Sequence, residues 1–507
     1  MTTIVTLHSG ARTIGGVCVS VEYGAARAVL DFGSPYVPEA QVFDGRVQPR
    51  RRTWVADSIR LGLFPRVDGV YAAEDLAADA AGDGWGGKGW GAGDGGADRP
   101  AAGAAGGIGG LVPAERSQLE TAVFVSTLYL DHMAAIGAVA DRVPVYMGPV
   151  ARRLELAMET CGLGVRSRRS AYQSFEFDQP VRVGEIEVLP ITSYTDGFGS
   201  CSFLVTTPDG TAHWTGNLTI DGFESGHTLA EIDLLRRRGL DVLFCDATRF
   251  SFDEELSRAA GPDGAVAAGI AAPAGAPTNA DLDAELARTI ATRPGLAVVN
   301  VYQRELASVA KLAASAAAAG RLAVFEPDLA FVARECLGLT PAVYTPDSAG
   351  SAGSAGEGAP PAWLARLRAE CPAVTRAEIA AEPRRFLLQN SYANILELLS
   401  LPSAGGVYIH LDGEPVGRFD PSWANMERVL GVAGFELACF DYNDVVGHAF
   451  PGAVQHYVEA VAPRVLVPCH STRPQLLAAA GAKQLLPEPG RPFDLAGRPA
   501  SRDGRPR

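Results

Sequence analysis

Between residues 281 and 450 the chain alternates helix-forming stretches with short apolar runs. This alternation restricts the fold more than any other feature. The periodicity predicts helices over 281–292, 303–319, 328–336, 390–399 and 422–433. Between them lie apolar strands at 297–301, 322–325, 386–388, 406–410 and 435–440. Strands that recur with helices between them predict a parallel α/β sheet.

The first half has a different rhythm. Strands are predicted at 3–7 and 17–23, and Ala28-Val29-Leu30 runs into Asp31-Phe32-Gly33, an apolar strand delivering a carboxylate to a loop. Further strands are expected at 121–126, 143–147, 186–191, 202–207, 211–215 and 241–245, the last ending at Asp246, with helices at 133–141 and 149–161. After the alternating region come a helix at 452–462, a strand at 464–467 and the loop Pro468-Cys469-His470. Residues 75–111 are rich in Gly and Ala, with too little apolar surface to order themselves, and predict a disordered insertion. A second is predicted at 347–361, and residues 488–507 as a flexible tail.

The net charge of −14 argues against a basic nucleic-acid coat but leaves room for a local cationic groove, for which Arg50-Arg51-Arg52, Arg168-Arg169, Arg236-Arg237-Arg238 and Arg384-Arg385 are candidates. Solvated helix ends and loops account for each of them as well. The eight cysteines form no C-x-x-C pair, which disfavours a zinc ribbon or a thioredoxin-like motif. Scattered single cysteines fit a reducing, cytoplasmic setting, and no signal segment or membrane-spanning run is predicted. Gly86-Gly87-Lys88-Gly89 lacks the preceding strand and following Ser or Thr of a phosphate loop, and no G-x-S-x-G elbow occurs.

Five separated pieces, in order, give the chain a resemblance to a known family. They are Thr13-Ile14-Gly15-Gly16 with Asp31-Phe32-Gly33; Ser126-Thr127-Leu128-Tyr129-Leu130-Asp131-His132; Thr192-Ser193 with Asp196; Trp214-Thr215-Gly216-Asn217; and Pro468-Cys469-His470. Together they resemble the metallo-β-lactamase-fold hydrolases. Asp246-Ala247-Thr248-Arg249, Gly447-His448-Ala449 and the stretch Leu61 to Tyr71 narrow the resemblance to the β-CASP, ribonuclease J-like subgroup. The resemblance implies an αββα sandwich with an inserted β-CASP parallel α/β domain. The sandwich would comprise residues 1–248 and 451–487, and the insert residues 249–450.

It also implies phosphodiester hydrolysis, with RNA as substrate, at a two-metal site. Carried over residue by residue, that site is damaged. Thr127, Tyr129 and Thr192 stand where the family has histidines, and Asn217 stands where it has a bridging aspartate. A neutral hydroxyl is a poor zinc ligand beside histidine, and Asn217 brings no charge to hold two cations together. Asp131, His132 and His470 are kept as metal ligands, and Asp246 and His448 as residues that would assist at the phosphate or leaving group. Two readings follow. One is a weak or mononuclear hydrolase holding at most one ion, zinc or manganese. The other is a pseudoenzyme without metal that binds nucleic acid, a partner ribonuclease or a second copy of itself.

Two further segments suggest an anion grip: Asn300-Val301-Tyr302-Gln303-Arg304 where a strand enters a helix, and Ser391 with Asn394 at a helix start. Helix capping explains them equally well. Cys245 and Cys469 precede Asp246 and His470 and should point to the opposite face, into the core. His8, His213, His227, His410 and His456 match no ligand position and read as structural or surface residues.

Overall fold

A computed structural model describes residues 1–36, 42–43, 47–77, 108, 110–192, 199–219, 225–253, 256–257, 279–346, 360–418, 420–440 and 448–501. The fold is mixed α/β, built on three seven-stranded sheets. In the first, Phe493–Asp494, Ile4–Ser9, Cys18–Tyr23, Ala26–Leu30, Glu120–Phe124, Val145–Met147 and Gln173–Ser174 lie side by side. The second runs Lys483–Gln484, Val465–Cys469, Val242–Asp246, Gly210–Trp214, Cys201–Thr207, Ile186–Thr192, Val181–Val183.

These two sheets pack face to face, because successive side chains of a strand point to opposite faces. Leu30, Phe124, Phe203, Val205, Trp214, Phe244 and Val467 fill the space between them. Their neighbours in sequence point outward. Leu204, Leu243 and Leu466 meet Ile232, Leu235, Tyr457 and Val458 of helices Ser225–Arg238 and Pro451–Val461. On the far side, Val29 and Val123 pack with Trp54, Ile59, Leu154 and Met158 of helices Trp54–Arg60 and Pro149–Cys161. The first unit is therefore layered helix, sheet, sheet, helix.

The third sheet lies between residues 246 and 451 in sequence and is wholly parallel, in the order Ala373–Thr375, Ala342–Thr345, Leu322–Phe325, Phe386–Gln389, Ala297–Val301, Val407–Leu411, Glu436–Phe440. The chain then rejoins the second sheet, where Val465–Cys469 pairs in parallel with Val242–Asp246. The two units are keyed by Arg304. Its guanidinium is buried in the first unit against Glu155 Oε2 at 2.8 Å and the carbonyls of Leu128 and Leu163 at 3.3 and 3.2 Å.

Several expectations need correction. Residues 488–507 do not behave as a tail up to 501: Phe493 is buried and pairs with Val5, closing the edge of the first sheet. The helix expected over 133–141 shrinks to Leu130–Met133 and a 3₁₀ turn at Ile136–Ala138. Gly137 in that turn packs against the Arg166 backbone so closely that a Cβ there would lie 2.2 Å from the Arg166 carbonyl oxygen. The helix expected over 390–399 is a 3₁₀ segment at Tyr392–Ser400, broken at Asn394. Helix Ser225–Arg238 and strands Ala342–Thr345 and Ala373–Thr375 were not anticipated. Of the two Gly/Ala-rich insertions, residues 78–107, 109 and 347–359 lie outside the described residues, as does the Gly86–Gly89 segment; Ile108 is buried.

Candidate metal site

The site forms where the parallel strands of the two packed sheets end, a place where loops from several strands converge. Asp31 follows strand Ala26–Leu30, Ser126 follows Glu120–Phe124, Asn217 follows Gly210–Trp214, Asp246 ends Val242–Asp246, and His470 follows Val465–Cys469. Asp31 and His470 both adopt left-handed backbone conformations, φ 56° and 60°, a strained geometry that costs stability and clusters at functional sites. Close packing of loops demands two glycines: a Cβ on Gly33 would fall 1.7 Å from the Asp131 carbonyl oxygen, and one on Gly15 would fall 2.5 Å from the Asp131 Cβ.

Asp131, His132 and His470 converge, their nearest ligand atoms all within 4.8 Å of one another. His470 Nε2 is 2.9 Å and His132 Nε2 3.7 Å from the same oxygen, Asp131 Oδ2, and the two imidazoles stack with centroids 5.1 Å apart. His132 is wholly buried and its Nε2 has no hydrogen-bond partner. Its other nitrogen is held by Asp31 Oδ2 at 2.8 Å. That carboxylate is itself fixed by Trp214 Nε1 at 2.6 Å, Ser126 Oγ at 2.7 Å and the Ser126 amide at 2.7 Å. A carboxylate clamping the far nitrogen of an imidazole is how proteins aim a histidine ligand at a metal. His470 is aimed similarly. Thr248 Oγ1 donates to Asp246 Oδ1, so it can accept from His470 Nδ1, 2.6 Å away, leaving Nε2 facing Asp131.

The electrostatics agree with the geometry. Burial by itself would lower the His132 pKa, but the Asp131 and Asp31 carboxylates outweigh it and carry it up to about 9. Burial would raise the Asp131 carboxyl, and His132 and His470 instead pull it to about 2. This is a half-buried carboxylate facing a cation, the charge arrangement a metal ion would complete. Donor chemistry fits as well: two imidazole nitrogens and a carboxylate are three acceptable ligands for one zinc ion with a fourth position open. Asn217 is buried, and its Oδ1 has no hydrogen-bond partner.

Asp246 and His448 form a second group, again with His470. His448 Nδ1 lies 2.6 Å from Asp246 Oδ2. Asp246 also accepts from the Leu218 amide at 3.1 Å, the Thr248 amide at 2.9 Å and the Thr248 hydroxyl at 2.6 Å. Burial acts to raise its carboxyl, yet His448 and His470 hold it well below the usual carboxylate range. With its oxygens saturated, Asp246 orients His448 rather than offering a free ligand, and His448 keeps a partly exposed ring.

The other predicted positions do not join this cluster. Thr127 Oγ1 accepts from Ser200 Oγ at 3.0 Å, and the Tyr129 hydroxyl donates to Glu305 Oε2 of the second unit at 3.0 Å. Thr192 ends strand Ile186–Thr192; Ser193, Asp196 and Gly447 lie outside the described residues. Several arginines of the four clusters are already engaged. Arg50 pairs with Asp57, Arg168 with Asp75, Arg237 with Asp233 and Arg385 with Glu382, while Arg169 and Arg384 bond backbone carbonyls. Arg304 is committed to Glu155, and the Asn394 side chain bonds Ser391 at the start of its own 3₁₀ segment, so neither is a free anion grip. Cys245 and Cys469 are packed in the core as expected.

Sequence reading undervalued Asp31, which it saw only as a strand-end carboxylate, and missed the roles of Trp214 and Ser126. Glu305 carried no sequence signal, since its partner Tyr129 is distant in the chain.

No family model and no curated protein matches this chain. Among solved structures it is similar to a protein of unknown function from Enterococcus faecalis V583, with TM-score 0.69 and 23% identity over 97% of this chain and 100% of that one. This likeness shows a shared fold along nearly the whole length. A second, the metallo-β-lactamase fold protein YhfI from Bacillus subtilis, aligns with 49% of this chain and 72% of its own at TM-score 0.27 and 14% identity. No helix among the described residues is long and apolar enough to cross a membrane.

Proposed function

We propose that this chain is a metallo-β-lactamase-type protein of the β-CASP, ribonuclease J-like kind in which one of two metal positions survives. Residues 1–248 and 451–501 form the hydrolase unit and 249–450 the inserted one. Asp131, His132 and His470 hold a single ion, zinc or manganese, and the substrate is a phosphodiester, with RNA the class implied by the sequence resemblance. The observation that carries this reading is His132. A wholly buried imidazole with one nitrogen clamped by Asp31 and the other unpartnered beside Asp131 is costly unless something occupies that nitrogen. A bound ion would act as a Lewis acid on the phosphate. The chain's own residues hold the rest: Asp246 fixes the His448 ring, which stands ready to pass a proton at the leaving oxygen.

Metal content tests the reading. After mild dialysis the purified protein should keep about one equivalent of zinc or manganese, and less than about 0.2 would sink it. Hydrolysis of a phosphodiester such as bis(p-nitrophenyl) phosphate should be slow, metal-dependent and lost in His448→Ala. A second reading, a non-catalytic protein that binds nucleic acid or a partner, is favoured by Tyr129: a residue at a ligand position has become a contact between units. A protein without metal that still binds RNA would select it.

A further inference from the structure

The central strands of the third sheet leave it in opposite directions. Leu322–Phe325 and Ala297–Val301 lead to helices Pro327–Leu337 and Leu306–Ala318, which pack on one face. Phe386–Gln389 lies between these strands and turns to the other face, into the 3₁₀ segment Tyr392–Ser400. Where the paths part, Glu326 and Asn390 are buried side by side. Glu326 Oε1 accepts from Asn390 Nδ2 at 3.1 Å and from the Ser391 amide at 3.1 Å. Asn390 Nδ2 also donates to the Asn394 carbonyl at 3.1 Å, which fixes the nitrogen and oxygen ends of that side chain. The two oxygens left over, Glu326 Oε2 and Asn390 Oδ1, are buried and have no partner.

Two acceptors cannot bond each other, but a carboxylic acid carries the missing hydrogen. Protonated Oε2 would donate to Asn390 Oδ1 while Oε1 accepts from Asn390 Nδ2, so that acid and amide are joined by two bonds. The surroundings favour that form. Among the described residues no lysine or arginine pairs with Glu326. The titratable groups about it are Asp328 from its own helix, the phenols of Tyr408 and Tyr392, and Tyr344, whose hydroxyl bonds Glu397, itself paired with Arg376. Burial pushes the Glu326 carboxyl up to about 7; Ser391 and Asn394 act against the rise, and Asp328 adds to it. Ionisation would leave a bare charge in the core, which is costly unless water reaches it.

We propose that Glu326 and Asn390 form a proton lock: a carboxylic acid paired with an amide that holds the start of the segment 391–400, and that opens when the proton leaves. The lock reaches the contact between the units, because Tyr392, the first residue of the 3₁₀ segment, shares a cavity wall with Ser34 of the first unit. It stands apart from the metal reading, since none of its side chains is a ligand there.

Amide exchange of the full chain, followed by mass spectrometry from about pH 5 to 8 and corrected for the intrinsic rate, tests it. Once the segment opens, the carboxyl ionises at its ordinary value. Opening of residues 391–400 should therefore grow about tenfold per pH unit and level off near about pH 7. Glu326→Gln places an amide hydrogen where the proton sits and keeps the acceptor for Asn390 and Ser391, so opening of this segment should not vary with pH. Should that variant fail to fold, helix Asn279–Thr292 serves as the control within the native chain: its exchange should show no such rise. A flat profile at residues 391–400 in the native protein, a rise that persists in Glu326→Gln, or (where the variant does not fold) an equal rise at residues 279–292 would overturn the proposal.

Discussion

His132 and Tyr129 stand three residues apart, in and at the start of one short helix, yet their surroundings differ. Around His132 the chain keeps everything that aims a ligand: Asp31 behind it, Trp214 and Ser126 behind Asp31, and Asp131 and His470 in front. Around Tyr129 the side chains are hydroxyls instead of imidazoles: Thr127 accepts from Ser200, and Tyr129 donates to Glu305. On the proposed reading, a ligand position persists where the residues that aim it also hold the fold together. The Asp31 clamp serves His132 and ties together two strands of one sheet and Trp214 of the other, so its loss would disturb the fold as well as the site. Tyr129 instead makes a contact between the units, through Glu305.

The largest expected effect tests the retained half. His132→Ala should lower metal affinity by at least about a hundredfold, since it removes one of three protein ligands. The measurement is metal stoichiometry by elemental analysis beside a competition titration with a chelator. Its counterpart installs the ligands that the resemblance implies, with Thr127→His, Tyr129→His, Thr192→His and Asn217→Asp together. Binding of two equivalents would show that the backbone of the lost position is intact. Failure to bind a second ion would mean that these four positions do not form a metal site, and the comparison of halves would collapse.

Next in size is the anchor beside Thr127 and Tyr129 that holds the first unit against the second. Arg304 and Glu155 are 4% and 0% exposed and 2.8 Å apart, and the same guanidinium reaches the Leu128 carbonyl between Thr127 and Tyr129. Glu155→Gln leaves a buried cation without its partner and should cost about 3–5 kcal/mol in urea unfolding. A double replacement, Arg304→Met with Glu155→Leu, should recover most of that loss. Equal destabilisation by both variants would show that shape rather than charge joins the units.

Much of this was legible in the chain. The alternation over 281–450 predicted the parallel sheet, and strand-end carboxylates at Asp31 and Asp246 were visible as apolar runs stopping at Asp. Asp131, His132 and His470 were named together only through the order of motifs, because 338 residues of chain separate His132 from His470 and no local spacing links them. What the chain hid was pairing across distance. Nothing near Tyr129 points to Glu305, and nothing near Phe493 says that it closes a sheet begun at Ile4. Both depend on tertiary packing, which local periodicity does not encode.

A smaller effect follows from protonation. The His132 pKa is raised to about 9 in the metal-free fold, above the ordinary imidazole value. A raised folded pKa contributes stability that is fully present below about pH 6.5 and is lost as pH rises through about 9. Asp131, lowered to about 2, contributes above about pH 4 and loses its share only as pH falls through about 2. The metal-free protein should thus lose stability between about pH 6.5 and 9, while zinc affinity rises over the same interval because the ion must displace the His132 proton. Metal-loaded protein should show no such decline. Parallel pH profiles of the two forms, read by thermal unfolding, would identify a different proton acceptor if they coincide.

The smallest effect isolates what Tyr129 gained. Tyr129→Phe removes only the hydroxyl that donates to Glu305, and keeps the ring that packs 5.5 Å from Tyr302. A hydrogen bond to a carboxylate at a half-buried site contributes about 1–2 kcal/mol, so unfolding should shift by that amount. Metal binding at Asp131, His132 and His470 should not move, because the His132 clamp runs through Asp31 on the other side of the loop. Hydrogen exchange should quicken at residues 302–306, next to the lost contact, and stay slow at His132 and Met133, whose amides donate to the Tyr129 carbonyl that the substitution leaves in place. If exchange quickens in both segments, the two halves of the site are mechanically one, and the vacated half still governs the retained one.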